Sequence, residues 1–257
     1  MAKAAAGQNG PVPSREVSRV QQGDGLRGVV AVDGPAGTGK STVARRLAAS
    51  LGARYLDTGA MYRAAALGVL RAGVDAAEPA AVSAVVARRH IEVGTDPDLS
   101  RVLLDGEDVS REIRGPAVTT AVSPVSAVSR VRELLVAQQR RIISDSTAAG
   151  GGIVVEGRDI GTLVVPDAPL KVFLTATAAQ RAARRAAQDG VDDVAEVLRA
   201  VEHRDRFDSS RATSPMCAAA DAVELDTTAL DVDAVLGKLH ELAVARGLVV
   251  RAARGRT

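Results

Sequence analysis

Short β-branched runs alternate along the chain with stretches of helical spacing. Val29–Val32 in GVVAVD is a run of buried-strand type. From Lys40 the apolar residues recur at Val43, Leu47 and Leu51, one face of a helix that Gly52 ends. ARYLDTG predicts a second short strand, followed by a helix from about Ala60 to Leu70. Ile153–Val155, bounded by glycines, and Leu170–Leu174, after PDAP, read as further buried strands, and Ala222–Leu225 as a weaker one. Helical patterns cover Val131–Ser144, Ala178–Gln188, Val194–Val201 and Val232–Ala245. Strands alternating with helices predict an α/β protein: a parallel sheet flanked by helices on both faces. Residues 90–113 depart from this pattern. HIEVG and RVLLDGEDVS cluster apolar residues around Asp105-Gly106, a hairpin turn pair, and predict a small antiparallel insertion.

Composition narrows the class. The chain has 257 residues, 46% hydrophobic and 25% charged, which is ample for a buried core and unlike a disordered chain. No apolar run approaches the ~18 residues of a membrane span, and the first residues have no apolar core for a secretory signal. One cysteine, Cys217, rules out an intramolecular disulfide and a cysteine-clustered zinc site, and His90, His203 and His240 lack metal-ligand spacing. A cytoplasmic, monomeric protein is expected. The formal charge is +2; the first 27 residues contribute +2 and the last seven +3, which leaves −3 for residues 28–250. A net acidic body with 2% aromatic residues argues against nucleic acid as the partner. Residues 1–27, rich in Gly, Pro and polar side chains, read as a flexible tail, and 251–257 as a basic C-terminal tail.

The chemistry begins at Gly34-Pro35-Ala36-Gly37-Thr38-Gly39-Lys40-Ser41, a complete G-x-x-x-x-G-K-[ST] pattern between a strand and a helix. Its glycines let successive N–H groups converge on phosphate oxygens, and the helix N-terminus adds partial positive charge. Lys40 would reach the β- and γ-phosphates of ATP, Ser41 would offer its hydroxyl to Mg²⁺, and Thr42 completes the ATP-binding run. A GTPase needs an N-K-x-D motif, yet the only asparagine is Asn9. A small phosphotransferase remains, and its acceptor site must hold a second anion beside the γ-phosphate, a task for arginine forks. Arg158 and Asp159 follow a strand at its carboxyl end, where doubly wound sheets place ligands. Arg63 opens a helix, Arg184 and Arg185 lie in a later one, and Arg204, Arg206 and Arg211 crowd HRDRFDSSR. Asp33, just before the loop, is read only as orienting it.

DGPAGTGKS, LDTGAMYR, VSRVREL, VEGRDIGT, PDAPLKVFL and HRDRFDSSR stand in the order found in bacterial cytidylate kinases, and over residues 28–248 the chain resembles that family. The resemblance implies a nucleoside monophosphate kinase that moves the γ-phosphoryl group of ATP to CMP or dCMP with Mg²⁺. It implies a core, an acceptor-binding insertion of about residues 60–125 and a short helical lid of about 178–211. It also implies that Arg63, Arg158 and Arg211 bind the CMP phosphate, that Ser123, Arg132 and Asp159 read the cytosine edge, and that Arg204 and Asp208 meet the sugar hydroxyls. Tyr62 would shape the acceptor pocket, and Arg184 would close over the transferring group. Thr58, a further CMP contact, stands where relatives carry serine, and either hydroxyl could meet the same ligand; Glu156 stands where some carry aspartate, and a longer carboxylate could still hold Mg²⁺ through water. Two alternatives stay open: a kinase for UMP, AMP or another small acceptor, and a nucleotide-dependent binding protein whose basic ends touch nucleic acid.

Overall fold

The protein is described by a computed structural model covering residues 24–250, apart from 100, 149, 212 and 213. The expected tail at 251–257 and all but the last four residues of the one at 1–27 lie outside the described residues. Chain order begins with strands β1 (Gly25–Leu26) and β2 (Gly28–Asp33), helix α1 (Lys40–Ser50), β3 (Arg54–Asp57) and helices α2 (Thr58–Arg71) and α3 (Pro79–Val86). Strands β4 (Ile91–Val93), β5 (Val102–Leu104) and β6 (Glu107–Asp108) follow, then α4 (Pro116–Ala127) and α5 (Ser129–Thr147). The rest is β7 (Gly152–Glu156), β8 (Leu170–Thr175), α6 (Ala178–Asp189), α7 (Val194–Ser209), β9 (Val223–Asp226), α8 (Val232–Ala245) and β10 (Val249–Val250).

Five strands form one parallel sheet in the order β3-β7-β2-β8-β9. Its central strand is apolar on both faces, because each face meets helices. Val29 and Ala31 point toward α2, α4 and α5, where they join Met61, Val125, Val131 and Leu135. Val30 and Val32 point the other way, against Val43 and Leu47 of α1 and Leu239 and Ala243 of α8. Each fully buried leucine or valine of this kind contributes roughly 1.5–3 kcal/mol, and truncating Leu47 to alanine would cost about 2–5 kcal/mol.

Strands β4, β5 and β6 make the expected antiparallel insertion. Its turn has Asp105 and Gly106 at φ 54° and 86°, the two left-handed residues of a tight hairpin. Gly25 and Leu26, assigned by sequence to the tail, instead pair with Val250 and Val249, and Leu26 is buried against α1 and α8. After β7 the chain makes one turn of π-helix, Ile160–Val164, which the sequence does not announce. Among the described residues no helix is long and apolar enough to cross a membrane.

Candidate active site

The phosphate loop runs from the end of β2 into α1, at the carboxyl edge of the sheet. Gly34 has φ 139°, and a Cβ there would collide with the carbonyl of Leu174 on β8. At Gly37, φ 83°, a Cβ would stand 2.9 Å from the Cβ of Arg181 on α6. The loop is therefore pressed between β8 and the first lid helix, a space open only to glycine. Lys40 is buried, and its ammonium donates to Pro35 O at 2.6 Å; Thr38 Oγ1 donates to the same carbonyl at 3.1 Å. Burial, and then the charge of Arg158, hold the Lys40 pKa well below its usual value. Gly39 is the N-cap of α1, and Ser41 and Thr42 are exposed on its first turn.

Glu156, at the end of β7, faces this loop. Its carboxylate accepts from Ser41 Oγ at 2.9 Å and from the Tyr55 hydroxyl. Burial, and then the neighbouring charge of Asp57, raise its pKa, while Lys40 pulls it back. Thr58, expected as an acceptor ligand, gives its hydroxyl to the Glu156 carbonyl at 2.7 Å.

The second site is built of cations around one carboxylate. Asp208, 1% exposed on α7, takes Arg158 Nε at 3.3 Å, an Arg211 guanidinium nitrogen, and Arg204 at 3.9 Å. Arg63 donates to Ile113 O at 3.2 Å and Thr119 Oγ1 at 3.0 Å. Its pKa falls to about 10, first through burial and then through the charge of Arg185. Arg204 falls to about 9, through burial and the charge of Arg158. Arg211 is lowered too, by burial. Groups whose charge is this disfavoured are relieved by a nearby polyanion.

Arg132 and Asp159 form a buried ion pair beside this cluster. The Arg132 guanidinium also reaches Ser126 O at 3.4 Å and lies 5.5 Å from the centre of the Tyr62 ring. Ser123 sits half-buried on α4, its carbonyl bonded by Ser126 Oγ at 3.0 Å. Asp33 clasps the turn that carries Arg158 and Asp159: it accepts from Ile160 N at 2.9 Å and Gly161 N at 2.8 Å. Arg140 holds the far end of that turn through Leu163 O and Val164 O, at 2.7 and 3.0 Å.

The lid departs from expectation at Arg184. Its guanidinium is anchored away from the acceptor cluster, on Thr227 Oγ1 at 3.1 Å, Thr227 O at 2.6 Å and Leu230 O at 3.2 Å. Thr227 Oγ1 in turn donates to the backbone of Thr38 at 3.2 Å, so Arg184 braces the loop from behind. Arg181, three residues earlier and 5% exposed, meets the loop directly through Ala36 O at 3.2 Å and pairs with Asp205 of α7 at 2.6 Å. Sequence reasoning missed Arg181, Asp205 and the clasping role of Asp33. In QRAARR every arginine suits a helix surface, and only the phase of α6, set by Ala182 and Ala186 packing inward, selects the first of them.

A phosphate loop at a strand-end facing a half-buried arginine cluster, beside helices α6 and α7, defines a P-loop phosphotransferase with an anionic acceptor. Comparison with known proteins gives the particular kind. The family described as cytidylate kinase matches residues 30–245. The cytidylate kinase of Rhodococcus opacus (strain B4) is 58% identical over 215 residues, covering 82% of this chain and 92% of that protein. That of Nocardia farcinica (strain IFM 10152) is 58% identical over 218 residues, 83% and 92% of the two chains. That of Mycolicibacterium paratuberculosis (strain ATCC BAA-968 / K-10) is 52% identical over 227 residues, 87% and 98%. The chain belongs to the cytidylate kinase family.

Proposed function

We propose that this protein transfers the γ-phosphoryl group of ATP to the phosphate of CMP or dCMP, giving ADP and CDP or dCDP. The observation that carries the reading is the facing of two sites across the carboxyl edge of the sheet: Lys40 in its loop, and Arg158, Arg204 and Arg211 gathered on Asp208. An acceptor phosphate oxygen attacks the γ-phosphorus as the bond to the β–γ bridging oxygen breaks, and the displaced electron pair stays on ADP. The attacking oxygen is already anionic, so no side chain need take a proton. The work is positioning and charge neutralisation. Lys40 and Arg158 offset charge spreading over the transferring group, and Gly34 to Thr42 cradle ATP. Arg63, Arg158 and Arg211 hold the CMP phosphate, with Thr58 and Tyr62 shaping the pocket, while Arg204 and Asp208 meet the sugar.

Asp159 can accept from the exocyclic amine that cytosine has and uracil lacks, with Arg132 and Ser123 completing the edge. The oxygen donors Ser41 and Glu156 suit a hard divalent cation, and Mg²⁺ bound there would neutralise phosphate charge during transfer. Arg184 acts in this scheme by bracing the loop. A monomer suffices, since one chain supplies every residue invoked, and a cytoplasmic setting accords with its single thiol. ADP release measured with ATP, Mg²⁺ and CMP, dCMP, UMP, AMP or no acceptor tests the proposal. Turnover selective for CMP and dCMP is expected; preference for another acceptor, or hydrolysis indifferent to all of them, overturns it.

A further inference from the structure

Tyr55 is 3% exposed on β3, the edge strand of the sheet. In the parallel pairing of β3 with β7, Tyr55 stands opposite Val154 and Asp57 opposite Glu156. Side chains alternate across a strand, so Tyr55, Val154 and Glu156 share the face that packs on α1. The ring spans the offset of two residues, and its hydroxyl donates to Oε1 of Glu156. Ser41 Oγ donates to Oε2 at 2.9 Å. Thr58 Oγ1 donates to the Glu156 carbonyl at 2.7 Å, so the residue is held at its backbone as well as at both carboxylate oxygens. Along the outer edge of β3, the Tyr55 N–H donates to Thr95 O at 2.9 Å, which fixes the strand against the antiparallel insertion. Both hydroxyl protons go to the carboxylate, so each of its oxygens keeps a lone pair, and Ser41 Oγ keeps its own lone pairs for a cation at the loop. A carboxylate that ligates a metal is commonly steered by an outer hydrogen bond of this kind. A glutamate, with its extra rotatable bond, needs that restraint more than an aspartate.

We propose that Tyr55 is a positioning residue for the divalent cation: its hydroxyl holds Oε1 of Glu156, so that the carboxylate stays aimed at Ser41 and the phosphate loop. The inference rests on the reading of Ser41 and Glu156 as the oxygen donors for that cation. The full-length protein, in excess over the β,γ-imido analogue of ATP, is titrated with Mn²⁺, and bound metal is read from the loss of the free Mn²⁺ signal in electron paramagnetic resonance. The native chain, Tyr55→Phe, Glu156→Gln and the double variant are compared, with a melting curve for each.

Tyr55→Phe is expected to weaken Mn²⁺ binding about tenfold, with affinity for the analogue in EDTA unchanged. Glu156→Gln should weaken it at least as much, and adding Tyr55→Phe to it should cost nothing further, because both cut the same link. Native Mn²⁺ affinity in Tyr55→Phe overturns the proposal even where the melting temperature falls, since the hydroxyl is then structural only. An undiminished effect of Tyr55→Phe in the Glu156→Gln background overturns it too, as does an equal loss of analogue affinity in EDTA. Should Tyr55→Phe not fold, the native phenol is its own probe. The chain has two tyrosines and no tryptophan, so Tyr55 is the only tyrosine left in Tyr62→Phe. Its emission should change as Mg²⁺ saturates the analogue complex; unchanged emission refutes the link. If Glu156→Gln binds Mn²⁺ as the native protein does, the cation site itself is misassigned; metal affinity lost in Glu156→Gln but kept in Tyr55→Phe refutes only the role of Tyr55.

Discussion

The carboxylate of Asp33 accepts the backbone N–H of Ile160 at 2.9 Å, tying the last residue of β2 to the start of the π-turn after β7. Arg158 and Asp159, the phosphate-binding and base-reading candidates, immediately precede the tied residue. Their direction is thus set by a side chain on a neighbouring strand, and Asp33 serves the acceptor side as well as the loop it introduces.

Burial raises the Asp33 pKa from an ordinary 3.8 to about 6, against the two N–H groups that stabilise its charge. A carboxyl raised on folding contributes stability that is fully present below about pH 4 and is lost as pH climbs through about 6. The stability difference between Asp33→Asn and the native chain should therefore move in the variant's favour by roughly 3 kcal/mol across that window. Denaturant unfolding at pH 4, 5, 6 and 7 checks it; a pH-independent difference contradicts the assignment. The variant keeps only one acceptor for two N–H groups, so its KM for CMP should rise while that for ATP holds.

Lys40→Ala should lower kcat by roughly a thousandfold or more while leaving the fold intact. The ammonium is buried with its charge disfavoured, so its loss should not lower the melting temperature. A fully active variant would remove Lys40 from the mechanism; an unfolded one would make it structural.

Asp208→Asn should leave Arg158, Arg204 and Arg211 without their shared counter-charge, at a cost of about 3–5 kcal/mol. An added anion should restore part of it. Melting temperature is therefore expected to rise more steeply with inorganic phosphate in the variant than in the native protein. Equal slopes would mean that the cluster is not an anion site.

Arg181→Ala and Arg184→Ala separate the two lid arginines. Loss of Arg181 removes the contact to Ala36 O and strands Asp205, so KM for ATP should rise about tenfold or more. Loss of Arg184 should act mainly on stability, by freeing Thr227 and Leu230, with a smaller effect on KM. Steady-state kinetics with melting curves decide this, and a kcat collapse confined to Arg184→Ala would return that residue to the reaction centre.

The sheet, the loop and the hairpin were legible because each has a local signature: a β-branched run, a glycine pattern, a turn dipeptide. Helix α4 was not, since its valines and threonines favour strand and Pro124 lies inside it; packing against α2 and α5 overrides both. The pairing of Gly25–Leu26 with Val249–Val250 joins segments too short and too distant to show periodicity. At the site, motif residues could be named but their partners could not. That Asp208 gathers three arginines, that Thr58 bonds a backbone carbonyl, and that Arg184 turns away are facts of helix phase and strand order. Tyr55 looks like any aromatic of a half-buried strand until the register of β3 on β7 sets it beside Glu156.

Strand order also bears on how the molecule comes into being. β7 lies between β2 and β3, so the first two long strands made cannot pair with each other and await residues 152–156. Emerging from a ribosome, the nascent chain would present the edges of β2 and β3 unpaired until more than half of it had been synthesised. When β7 slots in it sets Glu156, Arg158 and Asp159 beside a loop made long before, and the acceptor cluster closes later still, once Arg204 and Asp208 of α7 and Arg211 beyond it have followed.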